Sequence, residues 1–177
     1  MTGQEYRVRT ASRPGAARAC GPAPDTVPDL DTDPPGCVNV PWCAVGPDPL
    51  DPAGMEALVR DPHAGATVTF TGVVRDTDTG RTVTALTYEA HPDAATHLDH
   101  LLRTVAAAPP ALSALAAAHR TGRRTIGEVA FVAAVSAPHR REAFAACADL
   151  VDAVKHSLPV WKLQEFADGT TEWVNAL

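Results

Sequence analysis

Two stretches near the middle of the chain alternate apolar and polar positions with a period of two: ATVTFTGVVRD over 66–76 and RTVTALTYEA over 81–90. Both are rich in Val and Thr, and such alternation fits strands with one face on a core. The DTDTG between them supplies turn residues, so the pair predicts a β-hairpin. Other stretches carry the helical period. PLDPAGMEALVRDP (49–62) reads as a helix with Asp51 as N-cap and Pro52 at its first position. HPDAATHLDHLLRTVAAA (91–108) sets Ala95, Leu98, Leu101, Leu102 and Val105 at helical spacing, and Pro109-Pro110 stops it. PHRREAFAACADLVDAVKHSL (138–158) is a long amphipathic helix that begins at Pro138 and ends before Pro159.

The remaining apolar runs are shorter. EVAFVAAVSA (128–137) suits a buried strand, VWKLQEF (160–166) another, and VNVPWCAVG (38–46) a short first strand. ALSALAAAHRTG (111–122) fits either a helix or a strand; its length between Pro110 and Gly122 favours a strand in its second half. DGTTEWVNAL (168–177) reads as a turn and a short tail. Strands and helices mix without a repeating βαβ period, which predicts an α+β fold with a largely antiparallel sheet. Residues 1–38 hold scattered prolines and no period of either kind, so they are expected to form a flexible tail before a domain over 39–177.

Composition narrows the partners. An apolar content of 45% supports a real core. A formal charge of −6 argues against a nucleic-acid binder that works by phosphate neutralisation, although a local basic pocket can hide in an acidic average. The N-terminal stretch lacks the continuous apolar core of a secretory signal, and nothing approaches the 18 consecutive apolar residues of a membrane span. Cys20, Cys37, Cys43 and Cys147 form no CxxC pair, which points to reduced thiols rather than a zinc ribbon or a disulfide scaffold. A soluble, cytoplasmic protein is expected.

Arginine supplies nearly all the cations, yet Lys155 and Lys162 remain as the only lysines, seven apart around Pro159 and Trp161. An amine placed between arginines and partly buried beside an indole can act as base or nucleophile, a role closed to arginine. Arg75, His139 and Arg140 fall at predicted strand and helix ends, where sites are built. Cations in the first turn of a helix oppose its dipole, so His139 and Arg140 suggest an anionic ligand. The plain alternative is that each is a solvated surface charge, with Lys155 answering the C-terminal dipole of its helix. His97 and His100 share a helix face and could begin a metal site for a hydrolase, but no third ligand stands at a tight spacing. GxGxxG, P-loop and GxSxG motifs are absent.

Taken together, FTGVVRD (70–76), HRTG (119–122), VSAPHRREAF, DAVKHSLPVWK and ADGTTEWV resemble the MoaE family, the large catalytic subunits of molybdopterin synthases. The resemblance runs from about residue 43 to the C-terminus. It implies an α/β hammerhead-type fold and a homodimer within a heterotetramer. The partner would be a small ubiquitin-like sulfur-carrier subunit whose Gly-Gly C-terminus bears a thiocarboxylate. It implies a sulfurtransferase that converts cyclic pyranopterin monophosphate to molybdopterin in two transfers, with no resident cofactor or metal. On this reading Lys155 and Lys162 are catalytic and also touch substrate, with Arg75, His139, Arg140 and Gln164 completing the substrate-binding set. Lys155 is assigned to the carrier tail and sulfur transfer, Lys162 to substrate binding or proton transfer. Two positions depart from the family pattern: Val73 stands where many members have lysine, and Leu163-Gln164 where others have Arg-Glu. The rival from another class is a module that docks a sulfur-carrier tail without turnover.

Overall fold

The computed structural model describes residues 38–108 and 111–175. The expected tail therefore lies outside the described residues, apart from Val38.

The apolar run at 129–137 becomes a strand buried on both faces, which is why it lacks alternation. Strands β1 (Cys43–Gly46), β2 (Ala66–Val73), β5 (Ala114–Arg120) and β7 (Val129–Ala137) form one sheet in the order β1-β5-β7-β2. Only the β1–β5 pair is parallel. Successive side chains of a strand point to opposite faces. Accordingly Leu115, Ala117, Phe131, Ala133 and Val135 face one core, with Leu98 and Leu102 of α2 (Ala94–Ala107) and Leu150 and Val154 of α3 (Arg140–Ser157). Ala114, Ala116, Ala118, Val132 and Ala134 face a second core against Met55 and Leu58 of α1 (Pro52–Leu58). Leu98, Leu102, Leu115 and Leu150 are wholly buried, each contributing about 1.5–3 kcal/mol. Helix α1 begins as expected: Pro52 is its first residue and the Asp51 carboxylate accepts from the Ala53 N–H at 3.0 Å.

A second sheet takes the order β3-β4-β8-β9, from β3 (Thr77–Asp78), β4 (Arg81–Ala90), β8 (Val160–Phe166) and β9 (Thr171–Asn175). The short β6 (Gly122–Thr125) also pairs with β4. Val74, Val83, Leu86, Ala130 and Phe166 form a small core between the sheets. No helix among the described residues is long and apolar enough to cross a membrane.

Three expectations change. The stretches at 66–76 and 81–90 are both strands, but not partners: β2 pairs with β7, while β4 pairs with β3, β6 and β8. Strand β7 gives β2 a ladder along its whole length, Ala66 to Val73, whereas β4 is taken up by β3, β6 and β8. After a register shift at Gly72/Val73 the ladder closes on the Val73–Val129 pair, and the chain crosses to the second sheet. DTDTG does turn, but the hairpin it makes is the minimal β3–β4 one. The C-terminal segment is no mere tail, because β9 pairs with β8 over Trp161–Glu165. Finally, α3 starts at Arg140 rather than Pro138, with His139 extended at the N-cap. Pro138 disfavours helical backbone in the residue before it and here precedes the cap. The ambiguous 111–122 segment is a strand, as favoured, but one that already starts at Ala114, ahead of the second half expected for it.

Candidate functional site

Alternation along β8 sorts its side chains. Val160, Gln164 and Phe166 are buried with Lys162 on one face, while Trp161, Leu163 and Glu165 take the other. On that outer face Arg123 forms a two-pronged pair with Glu165 at 2.9 Å, which holds the Glu165 carboxyl below its usual range. Trp161 is 40% exposed. The indole expected beside the lysines therefore lies on the face of β8 opposite Lys162.

Lys162 instead faces a carboxylate. Its side chain is 23% exposed and its Nζ lies 3.8 Å from Asp78 Oδ2. The buried Gln164 donates from Nε2 to the same oxygen. Arg75, in the crossing between the sheets, reaches Asp78 Oδ1 at 3.7 Å. Strand pairing builds the grouping: Lys162 and Gln164 sit opposite Tyr88 and Leu86 of β4. The turn at Thr79 and Gly80 folds Asp78 back against the start of that strand. Three predicted residues, Arg75, Lys162 and Gln164, thus converge on Asp78. Sequence reading missed that residue, because an aspartate in DTDTG looks like ordinary turn chemistry.

Lys155 is exposed in the last turn of α3, beside His156, where a cation suits the helix dipole. It makes no ion pair within 4.0 Å among the described residues. His139 and Arg140 lie at the other end of that helix. The His139 side chain makes no capping bond, and both residues, with Arg141, Glu142 and Phe144, line an open depression. Phe144 is 64% exposed there. Helical rise separates Arg140 from Lys155 by about 22 Å, so one chain does not gather the whole basic set. His97 and His100 stand on α2, and no three His, Cys, Asp or Glu side chains among the described residues are grouped to hold a metal.

HRTG places His119 away from these cations. The residue is 9% exposed, its ring is edge-on to Tyr88 and tilted against Phe131, and its Nδ1–H donates to the Arg120 carbonyl at 3.0 Å. Burial pushes the imidazole down to about 4. It is a neutral core group, stabilising the sheet rather than meeting solvent.

Comparison with known proteins adds to this geometry. The MoaE protein family model matches residues 45–157. The chain is 35% identical over 128 residues to a molybdopterin synthase catalytic subunit from a Nostoc species, covering 72% of this chain and 78% of that protein. Its fold matches that of molybdopterin synthase from Staphylococcus aureus with a TM-score of 0.68 at 28% identity, over 73% of this chain and 94% of the other. A more distant fold match, with a TM-score of 0.57 at 20% identity, covers 76% of this chain and 89% of a chain in a Helicobacter pylori complex. That complex joins subunits 1 and 2 of molybdopterin-converting factor. The α+β fold predicted from the pattern is the fold of these structures. The chain belongs to the MoaE protein family.

Proposed function

We propose that this chain is a sulfurtransferase of molybdenum cofactor biosynthesis. It moves sulfur from the thiocarboxylated C-terminus of a small ubiquitin-like partner to cyclic pyranopterin monophosphate, forming molybdopterin. Family membership supports the reaction class. One observation carries the assignment of residues: one of only two lysines faces the Arg75–Asp78 cluster, and the other ends the helix that leads into the same strand. Both substrates are anions, and the cluster sets two cations against a single carboxylate. At each transfer the thiocarboxylate sulfur bonds to a pterin side-chain carbon as a C–O bond at that carbon breaks, the oxygen leaving on the phosphate or, with protons, as water; a second water then cleaves the acyl C–S bond, releasing the carrier as a carboxylate and leaving the sulfur on the pterin. Lys155 serves the carrier tail and the transfer, while Lys162 serves the pterin, where an ammonium can give and regain a proton. The cytoplasm, with its reduced thiols, is the compartment this reading assigns.

His139 and Arg140 join the site from a second copy. A helix end about 22 Å from Lys155 cannot serve the same small substrate within one chain, whereas a two-fold dimer can bring opposite helix ends together. The dimer with two small partners is the heterotetramer of this reading.

The test is to mix the protein with thiocarboxylated carrier and cyclic pyranopterin monophosphate and follow molybdopterin. Wild type makes product, and Lys155→Ala and Lys162→Ala, both folded, lose about a hundredfold or more of the rate. A second reading, a docking module without turnover, draws on Val73, half exposed where many family members carry lysine. Carrier binding without product would establish it instead.

A further inference from the structure

We propose that Asp78 is a positioning residue: its carboxylate orients the Lys162 amine and the Arg75 guanidinium, and releases both to the anionic substrate on binding. The reaction named here rests on the sulfur-transfer reading; the placement rests on geometry alone.

The anchor of Asp78 is Gln164. This amide is 3% exposed, and a buried amide donor left without a partner destabilises the fold. A carboxylate only accepts, so the amide nitrogen must face it. The carboxylate is thus fixed from below by a neutral donor, with its own side chain 25% exposed. The two cations stand differently. At 3.8 Å and 3.7 Å, Lys162 and Arg75 lie beyond direct hydrogen-bond reach of Asp78. Lys162, with 23% of its side chain exposed, is held by charge, Arg75 more loosely at 75% exposure, and among the described residues no hydrogen bond takes up the N–H donors of either. One carboxylate against two cations leaves the cluster with a net positive charge, which an incoming phosphate or thiocarboxylate can meet without first breaking a hydrogen bond.

Charge and support can be separated by substitution. Asp78→Asn keeps the size and an oxygen that accepts from Gln164, and removes the charge; Asp78→Ala removes both. If Asp78 orients the amine, kcat falls in both variants by about tenfold to a hundredfold. The pterin KM stays level or drops, since a competing anion has gone. A residue that only props up the hairpin gives Asp78→Asn the kcat of wild type, and that result overturns the proposal. A raised KM at unchanged kcat does so too.

A second readout needs no turnover. The chain has two lysines, so protein labelled with [13Cε]lysine gives two side-chain signals, assigned with Lys162→Arg. Asp78→Asn should move the Lys162 signal toward that of free lysine and leave Lys155 unmoved. A Lys162 signal indifferent to Asp78→Asn overturns the placement. If wild type yields no product but the signal moves, the placement stands and the sulfur-transfer reading fails.

Discussion

His119 shows what a single buried side chain contributes. In the folded chain its imidazole stays neutral down to about pH 4, whereas in the unfolded chain it takes up a proton near 6.5. Between those values the unfolded state binds the extra proton, so stability falls as pH drops through the window and His119 adds no pH dependence above it. By pH 4 the loss from this one group is roughly 3 kcal/mol. Urea unfolding at pH 7 and at pH 4.5 measures it. His119→Asn, which keeps a donor near the Arg120 carbonyl, should be less stable at pH 7 but show a flatter decline. A variant as acid-sensitive as wild type would move the cause elsewhere. The residue types of the candidate site were equally legible: scarce lysines and arginines at element ends single out Arg75, Lys155 and Lys162 as candidates from sequence alone, and the structure brings Arg75 and Lys162 to one carboxylate. The Asp78 contact was not, because a side chain's partners across a sheet depend on a register that composition does not carry.

Among the elements, the β3–β4 hairpin is the weakest fit between sequence and backbone. Thr79 and Gly80 both have positive φ, 47° and 81°, the turn type that favours Asn-Gly. Gly80 adopts it freely, but a β-branched threonine there is strained, with only its Oγ–H bond to the Asp78 carbonyl as return. Thr79→Asn should therefore stabilise the protein by about 0.5–1 kcal/mol, read as a higher urea midpoint at unchanged slope. An unchanged midpoint would mean that the hairpin opens before the rest of the fold. Helices α1, α2 and α3 were readable because a 3.6-residue period survives whatever packs against it. The edge strands were not. β6 is GRRT and β9 is TEWVN, short and mostly polar, and each is a strand only because β4 or β8 offers it an open edge. The false hairpin at 66–90 has the same origin: two real strands sat either side of a real turn, and pairing was decided by distant residues.

For the whole molecule, the separation of the α3 ends makes assembly testable. If each site takes the Lys155 end from one copy and the Arg140 end from its partner, Arg140→Ala and Lys155→Ala variants, each inactive alone, should complement when refolded together. Random pairing gives about a quarter of wild-type activity, from one intact site in each mixed dimer. A mixture as inactive as its parts would confine the site to one chain. The pairing of β2 with β7 also governs how the domain is made. Val73 is joined to Val129 across the sheet, and a ribosome adding 5–20 residues per second needs about 3–11 s to travel between them. For that interval β2, with its valines and Phe70, has left the ribosome without its partner strand. The nascent chain therefore carries an unpaired, aggregation-prone edge until β7 emerges, and whatever shields nascent chains in the cell must cover that edge for those seconds.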